Sequence, residues 1–132
     1  MIIKDNGHVG IGTSDPGHLL QVGQMGDGSE ARANGWNTFR DKRWKRDLVP
    51  LKNTLENISS ISGYYYQWRV GDDNSRQIGF LAQEIKKVYP EIVAMDSEGY
   101  LSVDYSKMSP LLLEAIKEQQ ETIEKQQRQI AV

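Results

Sequence analysis

The chain has 132 residues, one domain's worth, with 16 Lys and Arg against 18 Asp and Glu, and the net charge of -2 gives no general bias toward polyanions. It has no cysteine, which excludes a disulfide scaffold, a cysteine metal site and a thiol nucleophile; two histidines, His8 and His18, cannot build a His-rich metal site unaided. Apolar residues make up 38%, below the usual globular share. A single chain of this size buries only about two thirds of its unfolded surface. Part of the core is therefore expected to be made with other chains. No apolar run approaches the length of a membrane span. The opening residues, Met1 to Gly12, lack a basic stretch followed by a long apolar one and are not read as a signal peptide.

In chain order, Ile2-Ile3 and Val9-Gly10-Ile11 read as short strands around an Asp5-Asn6-Gly7 turn. Ser14-Asp15-Pro16-Gly17 is a second turn and Leu19 to Val22 a third short strand. Gly23 to Gly35 is rich in Gly, Ser, Asn and Ala and reads as a linker or exposed loop. Composition shifts at Trp36, and residues 40–47 are densely charged. The spacing of Leu51, Leu55 and Ile58 predicts a helix from about Pro50 to Asn57, with proline in its first turn. Gly63 to Val70 is aromatic and β-branched and is expected to be a strand, with Tyr64, Tyr66 and Trp68 packing one face on the core. Gly71 to Ser75 is a turn. Phe80 to Tyr89 reads as a short amphipathic helix ended by Pro90. Ile92 to Met95 and Tyr100 to Tyr105 are expected to form a hairpin around Asp96-Ser97-Glu98-Gly99.

The last segment carries the clearest pattern. From about residue 109, Leu113, Ile116, Ile123 and Ile130 fit one helix face, and the three Ile are seven apart. Gln120 and Gln127 fill the alternating core positions if Ile is at d; Gln119 and Gln126 fill them if Ile is at a. One such helix alone in water is marginal. A self-associating coiled coil is preferred to a helix lying on its own domain.

Several segments together resemble one family, the C-terminal intramolecular chaperone and autoprocessing domain of phage tailspikes and tail fibres, of the endosialidase type. The resemblance rests on Arg40-Asp41-Lys42-Arg43-Trp44-Lys45, Gly79-Phe80-Leu81-Ala82-Gln83-Glu84, Tyr89-Pro90-Glu91-Ile92-Val93, Val103-Asp104-Tyr105 and Leu113-Glu114-Ala115-Ile116-Lys117-Glu118, in the family's order. Gly10-Ile11-Gly12-Thr13-Ser14-Asp15-Pro16 resembles the segment often found just upstream in such fibres. The resemblance implies a homotrimer that helps the upstream fibre domains of the same chain to register and fold, and in many members then cuts itself off. The family's cut uses a Ser in a Ser-Asp-x-Arg-x-Lys stretch, with the Lys as its partner. A serine hydroxyl needs a nearby base, and a buried Lys can serve. Here Arg40 stands at the Ser position, while Asp41, Arg43 and Lys45 remain. A guanidinium stays protonated and offers no nucleophilic lone pair. Thr38 has a hydroxyl two residues away, about 6–7 Å along an extended chain, and is not taken as a substitute.

The remaining candidates have plainer readings. Arg40, Lys42, Arg43, Lys45 and Arg46 with Trp44 suggest a nucleic-acid patch, but Asp41 and Asp47 interleave and a solvated, ion-paired surface is preferred. Gly10-x-Gly12 lacks the third glycine of a dinucleotide loop. Glu84, Glu91, Asp104 and Glu114 have no metal-ligand spacing. The expected architecture is α+β: short β segments and a linker over 1–35, then a mixed helix and strand chaperone domain over 36–132 ending in a trimeric coiled coil. The expected function is a trimerisation and folding module of a tail fibre or tailspike, placed in the virion tail after assembly in the host cytoplasm. Self-cleavage is expected to be disabled, and no cofactor, metal, nucleic acid or membrane is expected. The alternatives are an active serine autoprotease and a receptor-binding fibre tip.

Overall fold

Asp5-Asn6-Gly7 turns the chain between two short strands, as its composition predicts. In the computed structural model, which describes residues 1–131, Gly7 adopts a φ of 85° that favours glycine. Its amide donates to the Lys4 carbonyl at 2.9 Å. Strand β1 (Ile2–Ile3) pairs antiparallel with β2 (Val9–Ile11), Ile2 opposite Gly10. Strand β3 (Leu20–Val22) pairs parallel with β2, Val9 opposite Leu20. The connection between them doubles back and is pinned by side chains: His8 Nδ1 lies 3.0 Å from the Pro16 carbonyl, and the Gly17 amide donates to Gln21 Oε1 at 2.8 Å. A Cβ on Gly10 would sit 2.6 Å from the Thr13 carbonyl oxygen, so only glycine fits where this loop crosses β2.

The fold divides into two compact units. One holds Met1–Arg46 and Tyr65–Ile78; the other holds Asp47–Tyr64 and the chain from Gly79 onward. Strands β4 (Gly63–Tyr66) and β5 (Gln77–Phe80) form a two-stranded ladder. The expected strand to Val70 stops at Tyr66. Beyond it, Gln67 Nε2 donates to the Asn74 carbonyl at 2.7 Å, closing a loop in place of a ladder. The expected aromatic face does not join the core: Tyr66 meets Trp68 edge-on at 5.2 Å, and Trp68 stays 39% exposed.

In the second unit, helix α1 spans Thr54–Ser59, four residues later than its expected start at Pro50. Asn53 sits in the left-handed region, φ 54° and ψ 32°, which interrupts any helix entering from Pro50. Helix α2 spans Ala82–Val88, because Phe80 is taken into β5 and Leu81 stays extended. Tyr89 is held out of helical space ahead of Pro90, and Pro90–Ile92 then form a single 3-10 turn. Ile92 therefore belongs to that turn, and strand β6 begins at Val93. β6 (Val93–Met95) pairs antiparallel with β7 (Leu101–Val103), and Asp96 closes their turn by accepting from the Glu98 and Tyr100 amides at 2.9 Å each. Asp104 caps the 3-10 turn Tyr105–Lys107, which feeds helix α3 (Met108–Ile130). The buried core is Ile85, Ile92, Met108 and Leu111, surrounded by Ile58, Ile61, Phe80, Tyr89, Val93 and Val103. The architecture is α+β, with short strands first and a 23-residue helix at the end.

Candidate functional site

The charged segment begins with Asp41, whose extended backbone lets its carboxylate cap the 3-10 turn Lys42–Trp44. It accepts from the Arg43 amide at 2.9 Å, from Arg43 Nε at 3.1 Å and from Arg43 Nη2 at 2.7 Å. The Arg43 guanidinium, helped by the Arg43 amide, holds the Asp41 carboxyl below its usual range, and Asp41 in turn raises Arg43. Both oxygens of Asp41 are thus engaged by Arg43. Arg40 Nη1 donates to the neighbouring Phe39 carbonyl at 3.3 Å. Residues 27–53 are all exposed, so neither Arg40 nor Lys45 is enclosed by atoms of its own chain. The basic cluster is interrupted by this Asp41–Arg43 pair, as the interleaved charges suggest.

The same segment displays large apolar side chains to solvent. Phe39 is 96% exposed, Trp44 87% and Val49 82%, with Trp36 and Leu48 also in the open. A second apolar surface runs along α3, where Leu113, Ile116, Ile123 and Ile130 are all exposed. The described chain presents 11410 Å² of accessible surface. A compact monomer of 15.0 kDa presents about 7,000 Å². Large apolar side chains exposed close together along the chain, as at residues 36–49 and along α3, mark interaction surfaces.

Two carboxylates hold the second unit's frame; each ends one of the family-like stretches, but the sequence pattern alone gives the partners of neither. Glu118 on α3 accepts from the Thr54 amide at 3.0 Å and the Leu55 amide at 2.7 Å, so it caps α1 from 64 positions away. Asn53, the local cap residue, makes no side-chain cap bond. Glu84 on α2 accepts from the Tyr64 hydroxyl and from the Ser62 amide. The Tyr64 bond, then the Ser62 bond and the nearby Lys87, push the Glu84 carboxyl down, and Glu84 pushes the Tyr64 hydroxyl up. Leu111 and Ala115 are buried where the sequence reading followed the Ile row. The spacing Met108, Leu111, Ala115, three then four apart, is the signal that would have found this second row. Among the described residues no group of three or more His, Cys, Asp or Glu is placed to hold a metal. No described helix is long and apolar enough to cross a membrane.

Comparison with known proteins gives one family and two curated relatives. Residues 41–94 match the family described as chaperone of endosialidase, the match beginning one position after Arg40. The chain is 32% identical over 117 residues to a long tail fiber protein Gp37 of Escherichia phage AR1, covering 77% of this chain and 10% of that protein. It is 26% identical over 146 residues to a long tail fiber protein Gp37 of Salmonella phage S16, covering 98% of this chain and 20% of that protein. The chain thus spans a tenth to a fifth of the length of these relatives.

Proposed function

We propose, from the match of residues 41–94 to the chaperone-of-endosialidase family, that the chain is a homotrimeric folding and trimerisation module of a phage tail fibre or tailspike. The observation that carries this is the pair of apolar surfaces left open, the Trp36–Val49 segment and the α3 row of Leu113, Ile116, Ile123 and Ile130. A helix whose last twelve residues, 119–130, are exposed on every side is marginal in water by itself. Three copies bring these rows together, bury them, and set three fibre strands in register. The exposed aromatics of residues 36–49 are then covered between copies. The relatives are long tail fiber proteins, so the partners of the module are fibre domains of the same polypeptide and its place is the virion tail.

Self-cleavage is disabled in this reading. Arg40 occupies the position where the family places its serine, and it supplies no nucleophile. Asp41 is committed to Arg43, and Lys45 lies on the exposed stretch. The roles of Asp41 and Lys45 are those of a remnant motif. Light scattering tests the assembly: about three times the chain mass of 15.0 kDa supports it, and a monomer at micromolar concentration refutes it. Intact-mass spectrometry after long incubation tests the cleavage: an undivided chain is expected, and a break beside residue 40 would favour an active autoprotease.

A further inference from the structure

Helix α3 carries two stripes, and the inner one limits where the outer one can dock. Met108, Leu111 and Ala115 are 7%, 3% and 3% exposed, buried within their own unit. Glu118 continues this row and is bonded to the Thr54 and Leu55 amides of α1. The steps are three, four and three residues. Continued further, the row meets Thr122 and Lys125, both exposed, so the inner contact ends there.

The three Ile can be completed into a seam in two ways. With Ile at a, the seam takes Leu112 and Gln119. These are exposed, Leu112 at 49%, but lie four residues beyond Met108 and Ala115, only about 40° round the helix from the buried stripe. With Ile at d, the seam takes Leu113, Gln120 and Gln127. Leu113, Ile116, Gln120 and Ile123 each lie five residues beyond Met108, Leu111, Ala115 and Glu118 in turn, about 140° away. Both rows are exposed, but this one, from Leu113 at 57% to Ile130 at 84%, stands farther round the helix from the side that packs on α1.

Resting on the trimeric reading above, we infer that the other two copies seat on the Leu113 row, with Ile116, Ile123 and Ile130 at d and with Gln120 and Gln127 as buried polar layers at a. A three-fold axis makes the helices parallel, so identical residues meet in each layer. Each glutamine amide has donors and an acceptor, so three of them can satisfy one another around the axis. Such layers fix register at a cost in stability. The Gln126 row stays in solvent.

The test replaces one glutamine of each row by leucine in the full chain. Residues 126 and 127 are both exposed in the single chain, and leucine and glutamine have similar helix propensity. Differences between the variants therefore report the seam. Gln127→Leu should raise the thermal midpoint of the assembled protein by about 5 °C or more, while Gln126→Leu should leave it within about 2 °C. The opposite order overturns the inferred register while the trimer stands. A monomeric mass for the unmodified chain overturns the assembly reading itself, and this inference with it. A second measurement uses the absence of native cysteine: oxidised Gln127→Cys should give a covalent pair of chains and Gln126→Cys should not. Equal cross-linking of both overturns the assignment.

Discussion

Replacing Glu118 by alanine should loosen α1 from α3 more than any other single surface carboxylate. The carboxylate accepts two backbone amides at 3.0 and 2.7 Å, and it does so in the absence of a side-chain cap from Asn53. A hydrogen bond to a charged group contributes about 1.5–3 kcal/mol, and a lost helix cap costs about 0.5–2 kcal/mol. These descriptions overlap, because the two bonds are the cap. Thr54 is fully buried, so its freed amide gains little from water. The expected loss is about 2–3 kcal/mol. For a chain of 132 residues that corresponds to a midpoint lower by about 7–11 °C. Glu118→Gln keeps one acceptor oxygen and should fall about halfway. The assay is thermal or urea unfolding followed by circular dichroism. Protomer concentration must be held fixed, because association shifts apparent stability by mass action. If Glu118→Ala unfolds within about 0.5 kcal/mol of the unmodified chain, then the cap does not tie α1 to α3 and the role given to Glu118 is wrong.

Ile123→Asp should abolish assembly, since three carboxylates would meet in one buried layer; light scattering should then give the single-chain mass, and a surviving trimer would remove Ile123 from the seam. Glu84 is depressed by its bonds from Tyr64 and Ser62, so its contribution to stability is present above the ordinary carboxyl range and is lost as pH falls through its lowered value. Tyr64 is raised by Glu84, so its contribution is full below the ordinary phenol range and is lost as pH rises through its raised value. Tyr64→Phe should therefore flatten the acid and alkaline limbs of the unfolding midpoint against pH, and an unchanged profile would show that the pair is not linked to folding. Arg40→Ser should restore cutting beside residue 40 if Lys45 acts as the family's lysine does, Lys45→Ala in that background should stop it, and the rate should rise with pH if the neutral amine is the base. Mass spectrometry over days reads both variants; an intact, folded, trimeric Arg40→Ser chain would mean that more than the nucleophile is lost.

Local chemistry was readable wherever a few neighbouring residues decide the outcome. Asp5-Asn6-Gly7 and Asp96 to Gly99 turn the chain because their backbone and side-chain options are local, and the α3 helix follows from its own repeat. The order of the family motifs also lies in the sequence, and residues 41–94 match that family. Elements whose boundaries depend on a distant partner were misplaced. Pro50 and Leu51 carry helical spacing, yet α1 waits for Thr54, where Glu118 supplies the cap from far along the chain. Phe80 reads as the start of a helix, yet strand β4 draws it into a ladder. Tyr64 reads as a core aromatic, yet its hydroxyl is taken by Glu84. The seven-residue repeat alone places an apolar Ile row on α3. That Leu111 and Ala115 face inward and leave this row uncovered follows from packing against α1, which fixes the rotation of the helix where periodicity does not.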